Sequence, residues 1–323
     1  MKKLTSILLI TVFIMTITGC GTSQPSQPVV KKLDTVNISY VKLPLNVPSI
    51  VEKKLELFEK EFAKDNTKVA FPEITEGPKM TAALASGSLN FCNALGGTSA
   101  ILAAANGLDI KIIGMYSRAP KAFVIMAKNP AIKTVADLNG RTVAGPKGTI
   151  LHQLLLASLK QQGLAGDAVK FVNMGIPQGV TAMMSGDADA ALVAGPAVPK
   201  AIEAGGRVIA TGEGLLDATI VIAVEGKFLQ ENQDTVKRYM KVHQQSLAYM
   251  KDHPEEVYRI AAAETGISVE DVQKMYGWYD FNPAITDSDI KDLEKTQEFL
   301  VQNGLLTQKV EIKKLIKDMS KEI

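Results

Sequence analysis

The polar chemistry of this chain is concentrated in short loops that pair glycine with hydroxyl side chains. They are Gly96-Gly97-Thr98-Ser99, Gly145-Pro146-Lys147-Gly148-Thr149, Gly195-Pro196 and Asp217-Ala218-Thr219, joined by Lys42-Leu43-Pro44-Leu45-Asn46 nearer the start. Glycine lets a guest approach the backbone, and a hydroxyl either donates to that guest or caps the helix that follows. Where such a loop opens a helix, unpaired amide N–H groups and the helix dipole favour an anionic head group. The candidate ligand contacts are Leu43, Pro44, Asn46, Gly97, Thr98, Ser99, Lys147, Gly148, Thr149, Gly195, Asp217 and Thr219. Taken singly, Thr98, Ser99 and Thr149 are equally plain helix caps, so the binding reading rests on several of them meeting at one cleft. Lys42 and Lys147 are the cations available to an anion, and Glu76 and Asp217 the acids that would meet a cationic group instead.

Catalytic constellations do not stand out. His152, His243 and His253 have no second ligand at metal-binding spacing on a shared loop. The stretch 145–149 lacks the Gly-x-x-x-x-Gly-Lys-Ser/Thr of a phosphate loop, and no paired acids or nucleophile elbow accompany it. No metal or cofactor is called for, and the chain reads as a binder rather than an enzyme. His152, one turn into a helix, reads as a packing residue, and Cys92, inside an apolar strand, as an inert core thiol.

These loops need strands behind them and helices ahead of them. Strand-like runs at 36–41, 68–74, 91–95 and 110–115 alternate with helical stretches at 49–64, 80–86 and 98–106. The alternation restarts with strands at 141–144, 169–173, 189–193 and 207–210 and helices at 149–162, 180–184 and 197–203, the pattern of parallel α/β sheets. Thr81-Ala-Ala-Leu-Ala-Ser-Gly-Ser-Leu-Asn90 echoes Thr181-Ala-Met-Met-Ser-Gly-Asp-Ala-Asp189 with one residue of slippage, each leading into a strand and a glycine turn. Two similar lobes explain the echo. The apolar runs 122–127 and 219–224 serve as the two crossover strands between them, which divides the chain into lobe 1 at 36–121 and 219–323 and lobe 2 at 122–218. From Phe228 onward only helices are expected, at 235–251, 255–263, 268–276, 287–302 and 311–319, with Ser268 and Asp271 forming a capping box. This block is expected on lobe 1. The fold class is α/β and two-lobed, each lobe a mostly parallel sheet flanked by helices.

The N-terminus speaks of compartment. Lys2 and Lys3 precede an uncharged apolar stretch at 4–18 that is too short to span a bilayer and ends in Ile17-Thr18-Gly19-Cys20. This reads as a signal peptide at 1–19 with Cys20 as the lipidated mature N-terminus, followed to residue 35 by a polar, Pro-containing tether. The formal charge of +2 includes the two signal lysines, so the mature chain carries 34 basic and 34 acidic residues and has no basic excess for nucleic acid. Cys92 is then the remaining thiol, and no disulfide is available.

With these residues in view the chain resembles the substrate-binding lipoproteins of nitrate/sulfonate/taurine-type ABC importers, a group that includes thiamine-precursor binders. The likeness is carried by Val135-Ala-Asp-Leu-Asn-Gly140-Arg-Thr-Val-Ala144, by Gly148-Thr149 with His152 and Leu154-Leu155, and by the stretch 182–190 ending in Gly-Asp-Ala-Asp-Ala. It implies the bilobed periplasmic-binding-protein fold, no catalysis, a membrane permease as partner, an extracytoplasmic and lipid-anchored monomer, and ligand contacts from 43–46, 97–99 and 148–149. Two departures matter. Where members often have Gly-Ser-Thr-Ala-His, this chain has Gly148-Thr149-Ile150-Leu151-His152, and where many carry Trp and an acid before Pro, it has Leu192-Val193-Ala194-Gly195-Pro196. A more apolar pocket follows, which favours an alkylsulfonate-like organic anion. The alternatives are a thiamine precursor or other nitrogen heterocycle, or an enzyme on the same scaffold.

Overall fold

The computed structural model describes residues 33–42 and 45–322; the expected signal peptide, Cys20 and the expected tether as far as residue 32, like Leu43 and Pro44, lie outside the described residues. Ten strands and thirteen α-helices alternate along the described chain. The first half runs β1 (Thr35–Asn37), α1 (Val47–Lys54), α2 (Leu57–Phe62), β2 (Lys68–Ala70), α3 (Gly77–Ala85), β3 (Cys92–Gly96), α4 (Gly97–Ala105) and β4 (Ile110–Arg118). The second runs β5 (Phe123–Ala127), β6 (Thr142–Gly145), α5 (Ile150–Gln161), β7 (Lys170–Asn173), α6 (Ile176–Ser185), β8 (Ala190–Ala194), α7 (Ala197–Glu203) and β9 (Arg207–Thr211). The chain then returns through β10 (Thr219–Glu225) to the helices α8 (Gly226–Glu231), α9 (Gln233–Asp252), α10 (Pro254–Thr265), α11 (Val269–Tyr276), α12 (Asp287–Gln302) and α13 (Ile312–Leu315).

Two sheets with one strand order result. In the first, β2 pairs with β1, Ile38 bridges to Phe91 beside β3, and β3 continues to β10 and β4. In the second the order is β7-β6-β8-β5-β9. In each, the strand inserted beside the edge, β10 or β5, comes from across a crossover and runs antiparallel to both neighbours. The echoed segments fall on equivalent units, α3 into β3 and α6 into β8. The runs 122–127 and 219–224 are strands as expected, but each lies inside a sheet, and the chain crosses just before them, at 119–122 and 212–218.

Three expectations are corrected. The helix expected at 49–64 is broken at Glu56, which adopts φ 54°; no Gly or Pro announces the break, so apolar spacing reads straight through it. The helix expected at 311–319 stops at Leu315, and the C-terminal block is not purely helical. Lys317 and Met319 donate their amides to Ile112 and Ile113 carbonyls at 2.8 Å, and upstream Met115 donates to Pro283 at 2.9 Å while Arg118 and Asp280 exchange backbone bonds. β4 would otherwise be an unpaired edge with buried, unsatisfied N–H and C=O groups, and this demand overrides helix propensity. Finally, Ser268 accepts from the Asp271 amide at 3.0 Å but its hydroxyl bonds the Asp271 carboxylate, so only half of the capping box forms.

A polar core fixes α1 in the first half. Glu52 on α1 bonds His243 Nδ1 on α9 at 2.6 Å, both side chains being almost wholly buried, and its other oxygen accepts from Asn93 on β3. Ser49 joins the same cluster through Tyr116 on β4 at 2.8 Å. Cys92 is fully buried and burial alone pushes its thiol far up, so it is inert as expected. Because an orphaned buried ionisable group is costly, Glu52→Ala should lower the unfolding free energy by about 3–5 kcal/mol in urea titrations. An Ala variant as stable as the parent would mean that α1 is anchored by its apolar contacts alone.

Candidate functional site

Four helices of eight or more residues begin at the face where the two sheets meet. Gly77 opens α3, Gly96 and Ser99 stand at the start of α4, Thr149 to Leu151 at the start of α5, and Ile176 opens α6. All of them line one cavity of about 60 Å³. Val41, Met80, Ala94 and Ile220 complete its wall on the first-sheet side, and Phe123, Pro146 and Ala194 on the other. Among the described residues, no charged side chain lines it. First-turn amides of a helix lack intrahelical acceptors, and although Pro78 and Pro177 supply none in α3 and α6, the remaining free N–H groups and the dipoles of four helix starts around one cavity favour an anion in an apolar setting.

The hydroxyls that sequence reasoning reads as caps do not cap. Ser99 Oγ donates to the Gly148 carbonyl at 2.8 Å and Thr98 Oγ1 to Gln153 Oε1 at 2.7 Å, both across the boundary between the halves. Thr149 occupies the cap position of α5, but its hydroxyl donates to Pro146 at 2.8 Å. Lys200 on α7 adds a bond to the Thr265 carbonyl at 2.7 Å. Gly96 permits the close approach of Ile150 from α5, because a Cβ there would sit 3.2 Å from that side chain. Pockets for small molecules commonly span about 300–1,000 Å³, so a guest larger than a few atoms requires the halves to part and these bonds to break.

Of the expected contacts, Ser99 and Thr149 line the cavity, and Gly148 flanks it behind Ser99. Gly97, Thr98 and Thr219 instead border a neighbouring hollow of about 10 Å³, where a Cβ on Gly97 would come within 2.7 Å of Leu293. Gly195, with φ 55°, places its amide on the Ala122 carbonyl, and it is Ala194 before it that faces the cavity. Lys147 is exposed, its backbone amide bonded to Asn173, and Asp217 is exposed beside Arg118 and Trp278. Asn46 is buried and donates to the Val41 carbonyl. Lys42 pairs with Glu264, as Lys54 does, and Tyr40 donates to the same carboxylate; burial would raise that acid, but these partners hold it at about 2. His152 is buried against Phe171, and burial, with Lys147 nearby, lowers it to about 4.

The residues missed include Thr75, Gly77 and Ile176, where the chain leaves β2 and β7 and enters α3 and α6, together with the apolar wall of Val41, Met80, Ala94, Phe123 and Ile220. The signal was present. Pro78 and Pro177 stand in the first turns of α3 and α6, the favoured position for proline, whereas apolar periodicity becomes visible only at Met80 and Val180.

Beside the cavity, Thr219 Oγ1 donates to the buried Asp292, whose carboxyl is pushed well above the usual range, first by burial and also by Asp217. In the window between the unfolded value near 4 and that raised value, the folded chain keeps a proton that the unfolded chain releases, so stability falls as pH rises through it. Asp292→Asn should therefore raise the melting temperature more at pH 8 than at pH 5; an equal change at both values would mean that the acid is not held protonated.

The sequence profile described as NMT1/THI5 like matches residues 61–257. The chain is 26% identical over 325 residues to a protein of Bacillus subtilis (strain 168) provisionally named an aliphatic sulfonates-binding protein, covering 98% of this chain and 95% of that one. Its fold is similar to that of the periplasmic aliphatic sulphonate binding protein SsuA from Escherichia coli, at a TM-score of 0.74 and 25% identity over 89% of this chain and 93% of that one. It also matches the desulfurization enzyme DszB at a TM-score of 0.66 and 16% identity, over 90% and 98% of the two chains, which shows the shared fold alone.

Proposed function

Because this chain belongs to the NMT1/THI5-like family, we propose that it is the extracytoplasmic solute-binding protein of an ABC importer and captures an organic sulfonate between its two sheets. The observation that carries this reading is the convergence of four helix N-termini on a cavity without a charged side chain. Burial pushes a carboxylic acid toward its neutral form, whereas a sulfonate keeps its charge and presents three acceptor oxygens to the amides. The absence of an acid from the lining leaves an ammonium unmatched, so an alkylsulfonate suits the site better than its amino analogue. Ile150 and Ala194, at the two departures from the family pattern, both face the cavity and support the same choice.

The halves at 36–121 with 219–323 and at 122–218 act as lobes that close on the guest and present the closed form to a membrane permease. Binding without turnover is the proposed activity, since none of the lining side chains is a nucleophile activated by a base. Lipidation at Cys20, after Ile17-Thr18-Gly19, would hold the monomeric receptor at the membrane surface through the tether.

Titration with ethanesulfonate, acetate and taurine tests the ligand. A ligand at one hundred times its Kd adds about 2.7 kcal/mol of stability, so ethanesulfonate should raise the melting temperature by several degrees and taurine by less. Indifference to every sulfonate would remove the ligand assignment. For the anchor, Cys20→Ala should move the protein from the membrane fraction to the soluble fraction of cells; retention at the membrane would show that another feature holds it there.

A further inference from the structure

The cavity has two larger neighbours, and their chemistry differs. Through Thr75 it adjoins a recess of about 470 Å³ whose wall of Pro177, Val180, Pro196, Ala197 and Ala201 is rimmed by the ions Lys42, Glu73, Lys200 and Glu264. Through Ser99 it adjoins a groove of about 400 Å³ between α3 and α4, walled by Pro78, Ala82, Ala85, Leu102 and Leu108 with no charged side chain. The partition on this second side is thin. Gly77 lies so close to Ser99 that a Cβ would meet its hydroxyl at 2.2 Å, and the Ser99 hydroxyl reaches the Gly148 carbonyl at 2.8 Å. Gly77 and Ser99 line the cavity, Ser99 and Gly148 line the groove, and Gly148, at φ 71°, holds a backbone conformation that disfavours any side chain there.

We propose that the α3/α4 groove is a second subsite that takes the hydrocarbon tail of a long-chain sulfonate whose head group occupies the cavity. This rests on the sulfonate reading of the cavity and extends it to the class of tail. A cavity of about 60 Å³ accommodates little beyond the head group, so a chain must leave it on one side or the other. An alkyl chain gains by displacing water from an uncharged wall and loses by desolvating the ions that rim the other recess. A guest larger than the cavity keeps the halves further apart than here and the Ser99–Gly148 bond broken, which joins the two spaces into one channel.

Calorimetric titration of the whole protein with linear sulfonates from ethane to octane tests the proposal. The expected result is a Kd that falls about two- to fourfold per methylene across the series, the upper figure corresponding to about 0.8 kcal/mol for a fully buried CH2. Ala82→Trp, at an exposed groove position outside the cavity, should level the series beyond butanesulfonate and leave ethanesulfonate unaffected. Val180→Trp, in the charged recess, should leave the whole series as it is. A series that is flat in the parent while ethanesulfonate binds overturns the tail subsite but not the sulfonate reading. A series levelled by Val180→Trp and not by Ala82→Trp overturns it by placing the tail on the other side. Failure of every member to bind removes both.

Discussion

A helix of ordinary length leaves the amides of its first turn without partners inside the helix, and a fold must place such groups in water, against other protein atoms, or against a guest. Here four of these turns, at the starts of α3, α4, α5 and α6, are gathered around one small cavity lined by apolar side chains and a few hydroxyls. Much of the surrounding architecture follows from that gathering. Each helix must begin at the carboxyl end of a strand, the strands of each half must point the same way, and the two sheets must present those ends to each other. Four of the five strands in each half run in common direction, and the exception is the strand delivered by the crossover.

The cost of the arrangement is met at the margins. Insertion of β10 beside β4 leaves the outer edge of β4 open, and the C-terminal block covers it twice, with residues 280–283 and 316–319, before and after its long helix α12. The same helix carries Leu293 against Gly97 and Asp292 against Thr219, so the block that protects the edge also props the start of α4. Thr98, Gln153 and Thr296 extend this support across the boundary between the halves. A change at α12 therefore reaches the site without touching a ligand.

Legibility differed between features for physical reasons. Strands were visible because their Val- and Ile-rich runs are short and bounded by turn residues, and the duplicated unit was visible because Thr81 and Thr181 begin the same helix-turn-strand sequence. The first turns of α3 and α6 were missed because apolar periodicity begins one turn after the helix does, although Pro78 and Pro177 marked the true starts. The break at Glu56 and the extended segment after Leu315 left no local trace, since the first lacks a breaker residue and the second depends on an edge contributed two hundred residues earlier.

Composition and spacing by themselves determined the class of the molecule: an α/β chain with a repeated unit and glycine-edged helix starts. These properties are local or statistical and survive without coordinates. Which glycine faces a guest and which faces a helix was decided only in three dimensions. Gly97 packs on Leu293 while Gly96 meets Ile150, and Lys42 is claimed by Glu264, more than two hundred residues away. Identical local chemistry acquires different roles because a side chain's partner is set by the packing of distant segments, and that information is held in the sum of many weak contacts rather than in any motif.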